Sequence, residues 1–339
     1  MNLQWKNFLE THGAVFNENS DTCFTDGTNN AECQKFDLSF LGVIRISGED
    51  RESFLQGQLT SDTRNISAQL SQLSSYCTPK GRMIASMRII EHKQDWFMVL
   101  PASRLPVVLK RLQMFVMRSK VTLTDASEDF ACLGAKGSCL ETLSSSLPAE
   151  IHGTETIDGL SIIKVDNSEN RYMLLVNINE APSLWDSIDA AASDTSVWRL
   201  LDIEAGIPTV FEETAEAFIP QMTNLQVLDA VSFTKGCYTG QEVVARMQYL
   251  GKLKRRMLPV SFTSDKDYPR GSELFSKASS SGQGAGKLVD VVKTGENTYK
   301  ALAVVELASL ENGDLQIENE SGPIVKAEKL PYEFEPADS

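Results

Sequence analysis

The sequence predicts an α+β protein, with two α+β modules followed by a C-terminal antiparallel β-barrel. Three observations carry that prediction. Up to about residue 250, β-branched runs alternate with short amphipathic stretches at helical spacing. Hairpins dominate there, which fits α+β modules better than a doubly wound parallel sheet. After Arg256 the helical spacing stops, and short β-type segments separated by Gly, Ser and Asn turns take over. The expected organisation is residues 1–250 as one region, split near 125–135, and residues 251–335 as a Greek-key barrel.

The elements follow in order. Residues 41–46 (LGVIRI) read as a strand, and Gly48 opens a polar turn. Phe54, Leu55 and Leu59 follow at helical spacing, giving a short helix that ends near 60–62. Residues 75–78 are the next strand, and Pro79-Lys80-Gly81 is a turn. Residues 83–90 and 96–100 form a hairpin. Ser103 is placed to cap a helix with Pro106 in its first turn. Leu105, Val108, Leu109, Leu112 and Val116 form its apolar stripe, and Lys110, Arg111 and Arg118 its polar face. Strands are read at 121–123, 130–133, 161–165 and 171–176, and a helix at 181–192 with Leu184, Trp185 and Ile188 inward. The last region offers strands at 257–262, 285–292, 299–305 and 322–326.

Composition bounds the function. The chain has 339 residues, enough for two or three domains at about 150 residues each. Hydrophobic residues make up 42% and charged residues 23%, which excludes disorder as the main state. With 32 basic and 46 acidic residues the net charge is −14, unsuited to wrapping nucleic acid with the whole surface. No apolar run approaches the roughly 18 residues that span a bilayer, and residues 1–12 resemble neither a signal nor a transit peptide. A cytoplasmic protein that binds neither membrane nor nucleic acid directly is expected, as a monomer. The six cysteines include no CxxC, and the three histidines are far apart, so no metal site is expected and the thiols read as free.

The charge is uneven. Residues 96–124 contain no acid, yet hold Arg104, Lys110, Arg111, Arg118 and Lys120. Residues 243–264 also lack acids and hold Arg246, Lys252, Lys254, Arg255 and Arg256. Either these are solvated faces, or they are local sites for an anion.

The segment that carries chemistry is residues 234–247, Thr-Lys-Gly-Cys-Tyr-Thr-Gly-Gln-Glu-Val-Val-Ala-Arg-Met. Thr239 and Glu242 have the spacing of a capping box, and Val243, Val244, Met247 and Leu250 would line the apolar face of the helix it opens. Cys237 would then sit at the positive end of the helix dipole, with Lys235 two residues away. Both favour thiolate, so Cys237 is read as a reactive thiol with a lowered pKa; the plain alternative is a small cysteine in a tight turn. A cysteine protease is disfavoured, since His152 is the only histidine after residue 92. The Gly-rich run 281–286 precedes no helix and reads as a hairpin loop.

Residues 235–246, K-G-C-Y-T-G-Q-E-V-V-A-R, resemble the signature of the YgfZ family, folate-binding relatives of the glycine-cleavage T-protein. Three other segments agree in order: F-L-Q-G-Q-L-T-S-D at 54–62, I-E-A-G-I-P at 203–208 and F-I-P-Q-M-T-N-L at 218–225. The resemblance covers about residues 38–310. It implies α+β modules and a β-barrel around a central hole that holds tetrahydrofolate or a derivative. It implies Glu204 at the pterin, where a carboxylate accepts two adjacent N–H donors together. Trp198, Tyr238, Gln241 and Arg246 are the other implied cofactor residues, with Cys237 and Lys235 as the reactive centre. Trp198 reads equally as a core tryptophan. The basic islands would receive the glutamate tail of folate. The implied role is support of iron–sulfur enzymes, including those that methylthiolate tRNA.

Two departures matter. T-proteins resemble one another in an I-D-D segment with a catalytic aspartate, whereas Ala85 and Ser86 stand in the corresponding place here. Neither can deprotonate an attacking amine, so aminomethyl transfer is disfavoured, and T-proteins lack the cysteine found at 237. Family members can also carry a tryptophan early in the first strand, where this chain has Phe40-Leu41-Gly42. The remaining alternatives are a folate-dependent one-carbon transferase and a scaffold for iron–sulfur proteins.

Overall fold

A computed structural model describes residues 1–18, 20–25, 29–144, 146–166, 170–251, 253–279 and 284–334. The chain divides into two compact units: Met1–Ser74 with Met87–Trp198, and Ser75–Ser86 with Arg199–Ser339. The predicted boundary at 250 falls inside the second unit, just before its long sheet begins at Arg255.

The first unit holds two sheets. One has five strands in the order Gln72–Cys77, Met83–His92, Asp95–Pro101, Leu41–Ser47, Thr122–Asp125. Residues 75–77 and 83–86 of its first two strands belong to the second unit. The hairpin turns tightly at Lys93, which takes a positive φ of 58°. Leu41–Ser47 pairs antiparallel with Asp95–Pro101 on one side and Thr122–Asp125 on the other. The helix Leu105–Phe115 buries Leu105, Val108 and Leu112, as its stripe predicts. Its cap differs: Arg104 occupies the N-cap and no side chain bonds there, because Pro106 already removes one of the donors a Ser103 cap would serve.

The other sheet has six strands in the order Thr154–Ile157, Leu160–Asp166, Arg171–Asn177, Phe130–Lys136, Gln34–Asp37, Ala191–Ser193. Its core gathers Leu133, Ile162 and Leu174 with Trp5 and Leu9 from the helix Leu3–Thr11 and Trp185 from Ala181–Ser187. The helix predicted over 181–192 stops at Ser187. Ile188 turns extended, and residues 191–193 pair parallel with Gln34–Phe36, so sheet pairing overrides alanine's helix preference.

The second unit ends in a curled six-stranded sheet. Its order is Gln316–Ile317, Glu273–Phe275, Gly286–Lys293, Thr298–Glu306, Arg255–Thr263, Lys326–Ala327. The predicted barrel is thus a half-barrel among the described residues. The edge strands are only two residues long, and their surroundings meet through a single bridge, Gln316 to Ile324, rather than a ladder. Val260, Phe262, Leu288, Tyr299 and Ala301 form its core, with Phe262 and Tyr299 stacked at 4.9 Å. Residues 281–283 of the Gly-rich run lie outside the described residues, and Gly286 opens the strand Gly286–Lys293.

One polar knot is buried in this unit. Asp290 follows a register shift in its strand and accepts Nε of Arg199 at 3.1 Å and Nε of Arg270 at 2.8 Å. Arg270 also lies 3.6 Å from the centre of the Phe211 ring. Burial alone would raise the Asp290 carboxyl, but the two guanidiniums overcome it and hold it below the usual carboxylate range.

Candidate functional site

The site is built from two chain segments of the second unit. Thr78 to Arg82 forms a tight turn: Gly81 N–H donates to the Thr78 carbonyl at 2.8 Å, and Thr78 N–H to the Arg82 carbonyl at 2.8 Å. Against it lies the start of the helix Gln241–Tyr249. Two glycines permit the approach. Gly240 has φ +86°, and a Cβ there would fall 2.5 Å from the Thr78 carbonyl oxygen. Gly81 has φ +69°, and a Cβ there would fall 3.0 Å from Cβ of Val243. Both positions need the left-handed region and the missing side chain together. Gly240→Ala is expected to cost about 2 kcal/mol and to loosen this turn, measurable as a lower midpoint in urea unfolding.

This packing corrects the expected cap. The N-cap is Gly240, which has no side chain, so the Thr239–Glu242 capping box does not form. Cys237 therefore precedes the cap by three residues rather than two. Its side chain is exposed. Lys235 is buried, with its ammonium 5.1 Å from the centre of the Tyr238 ring. Gln241 donates from Nε2 to the Gly236 carbonyl at 3.4 Å and so braces the loop. Arg246 is exposed on the helix. Cys77, next to the turn, is buried, and that burial pushes it up to about 12, so it stays a thiol.

Tyr238 is also buried, and desolvation pushes its phenol far upward. Its hydroxyl has no hydrogen-bond partner among the described residues. The same holds for the buried amide oxygens of Gln221, Asn224 and Gln226. The amide nitrogens of two of these are used: Gln221 Nε2 donates to the Val244 carbonyl at 2.6 Å, and Asn224 Nδ2 to the Met257 carbonyl at 2.9 Å. Buried acceptors without protein donors are unusual and call for a donor from ordered water or a ligand. The sequence reading missed these three residues, although they lie in or beside the quoted F-I-P-Q-M-T-N-L segment.

Glu204 closes the helix Thr195–Glu204 and is half-exposed. Its Oε1 accepts Lys300 Nζ at 2.6 Å, and this bond raises the lysine's pKa. Gly206, two residues on, has φ +66°, and a Cβ there would meet the Tyr332 ring at 2.8 Å. Trp198, on the same helix, is buried in the first unit. Gly134 makes room for its ring, Phe36 meets it edge-on at 5.3 Å, and the Arg171 guanidinium lies 4.6 Å from the ring centre. That is the placement of a core tryptophan.

The basic islands are partly engaged by protein groups. Arg255 donates to the Gly284 carbonyl at 2.6 Å, and Arg256 lies 3.7 Å from the Phe334 ring centre. Lys120 pairs with Glu49 at 2.8 Å, Arg104 is buried, and Lys110 and Arg118 are exposed. Lys252 lies outside the described residues. Ala85 and Ser86 are both buried, and the Ser86 hydroxyl accepts Val210 N–H at 3.0 Å. The hydroxyl thus ties its strand to the segment that follows Pro208.

This is the fold of the glycine-cleavage T-protein. The aminomethyltransferase T of the glycine cleavage system from Bartonella henselae matches 98% of this chain and 97% of its own, with a TM-score of 0.75. At 14% identity the likeness is one of fold alone. No family model matches the sequence. Curated relatives give the family: the tRNA-modifying protein YgfZ of Klebsiella pneumoniae is 30% identical over 301 residues, 87% of this chain and 91% of the relative. The protein of that name from Colwellia psychrerythraea is 28% identical over 89% of this chain and 94% of its own. The chain belongs to the YgfZ family. Among the described residues, no helix is long and apolar enough to cross a membrane.

Proposed function

We propose that this protein binds tetrahydrofolate or a derivative and supports iron–sulfur enzymes in the cytoplasm, including those that methylthiolate tRNA. Cys237 is its reactive thiol. The observation that carries this reading is the exposed Cys237 on a loop pinned by Gly81 and Gly240. The relatives named for tRNA modification support the direction.

The residues present fit a reduced folate. Glu204 supplies a carboxylate for the pterin's adjacent N–H groups, and Tyr238, Gln221, Asn224 and Gln226 offer buried acceptors that the protein leaves unused. Bound folate would supply a one-carbon carrier. The chain's own residues would orient it, with Lys300 yielding its bond to Glu204 as the pterin arrives. Gln241 and Arg246 complete the proposed contacts.

Two measurements test this. Deleting the gene in its native cell should reduce methylthiolated tRNA nucleosides, as read by mass spectrometry, with restoration by the wild-type copy. Unchanged nucleosides would remove the tRNA-linked role. Tetrahydrofolate should raise the melting temperature, and Glu204→Gln should weaken its binding about tenfold, the loss of one charge-assisted contact. Equal binding by the variant would take Glu204 out of the pocket.

The rival reading is aminomethyl transfer, which the T-protein fold favours. Against it stand Ala85 and Ser86, buried where a catalytic carboxylate is expected, with the serine already committed to Val210. Formation of methylene-tetrahydrofolate from an aminomethyl donor would reverse that preference.

A further inference from the structure

We infer that Cys33 and Cys139 form an oxidation site in the first unit, closing to a disulfide when the protein meets a low-molecular-weight disulfide such as oxidised glutathione. The inference is independent of Cys237 and of folate.

The geometry comes from the six-stranded sheet. Gln34 stands opposite Lys136 in an antiparallel ladder, so Cys33 and Gly137 come next at the ladder's end. The chain must turn there to bring Cys139 back. Gly137 allows it, with φ +90° and no Cβ. A Cβ at that position would fall 2.5 Å from the Glu32 carbonyl oxygen and 3.2 Å from the Cys33 sulfur. The result sets the two thiols side by side: Cys139 Sγ donates to the Lys136 carbonyl at 3.3 Å and to the carbonyl of Gln34, the residue after Cys33, at 3.9 Å, and Cys33 is close enough to act on its ionisation. Cys139 is buried in the core, and Cys33 packs against that same core while keeping part of its surface open. Its sulfur also lies 3.7 Å from Oγ of Ser138. One thiol is thus reachable from solvent, and its partner waits behind it.

The exchange balances. The Cys33 thiolate attacks one sulfur of oxidised glutathione; the S–S bond breaks, one glutathione thiolate leaves, and a Cys33–glutathione mixed disulfide remains. The Cys139 thiolate then attacks the Cys33 sulfur, and the second glutathione leaves as thiolate. Two protein thiols are oxidised, one glutathione disulfide is reduced to two thiols, and the two protein protons end on glutathione. Burial and the neighbouring Cys33 push Cys139 up to about 11, so the second step is slow at neutral pH and accelerates as pH rises.

The test uses the full chain incubated with oxidised glutathione at two pH values, then alkylated, digested and analysed by mass spectrometry. The expected product is a peptide pair joined through Cys33 and Cys139, about 2 Da below the sum of the reduced peptides. It should form about tenfold faster per unit of pH between roughly 7.5 and 8.5. Because the bond closes a loop of roughly 100 residues, the melting temperature should rise by about 5 °C or more, reversed by dithiothreitol. Cys33→Ser should leave Cys139 unmodified. Cys139→Ala should trap the glutathione adduct on Cys33. A wild-type product carrying only the Cys33 adduct, a cross-link through Cys237 instead, or both thiols alkylated after prolonged oxidation would overturn the inference.

Discussion

Cys237→Ala is expected to abolish the protein's support of tRNA methylthiolation in a cell lacking the native gene, while shifting the melting temperature by no more than about 1 °C. The side chain is exposed, so its removal opens no cavity. Surface changes of this kind stay within about 0.5 kcal/mol. Cys237→Ser sharpens the test, because it keeps the shape and the hydrogen-bonding capacity and removes only the soft, ionisable sulfur. If the scaffold reading held, both variants would work, since a docking surface rarely depends on one small side chain. Full restoration of modified nucleosides by the alanine variant would therefore retire the reactive thiol and promote the scaffold.

Asp290→Ala should be the most damaging single stability change outside the apolar core, costing about 3–5 kcal/mol. It leaves Arg199 and Arg270 facing one another in a buried place with their shared counter-charge gone. Thermal unfolding should show a loss of about 10 °C for a unit of this size. The pH dependence follows from the lowered carboxyl. Its folded pKa lies below its unfolded one, so its stabilisation is complete above about pH 4 and disappears as pH falls through the folded value. Asp290→Asn should flatten that acid limb while leaving the sheet's spacing intact. An acid-unfolding curve for the asparagine variant that superimposes on the wild type would show that the knot does not govern acid stability.

Much of this was legible beforehand, and the parts that were not share a cause. The strands at 41–46, 83–90, 96–100, 171–176 and 299–305 announce themselves by β-branched runs, and each matches a strand to within a few residues. The helix Leu105–Phe115 announces itself by spacing. Where the reading slipped, a distant segment decided. Residues 191–193 turn to strand because Gln34–Phe36 lie beside them. The capping box yields because the turn at 78–82 presses on Gly240. The strand Glu273–Phe275 and the two-residue edges exist only through their partners, so no local pattern marks them. The site divides in the same way. The Cys237 loop is written in one contiguous stretch, whereas the unused acceptors on Gln221, Asn224 and Gln226 appear only once every other donor has been assigned.

The turn at 78–82 has a consequence for how the molecule is made. It is translated about 160 residues before the helix it braces, and it belongs to a unit whose remainder starts at Arg199. During synthesis at about 5–20 residues per second, the cysteine loop takes its packed shape only against a strand pair of its unit made long before it. A fragment beginning at Arg199 would emerge with Gly240 facing water instead of the Thr78 carbonyl. The loop's shape is thus inherited from the first third of the chain, and gene fragments meant to express the cysteine motif alone should yield a thiol without its setting.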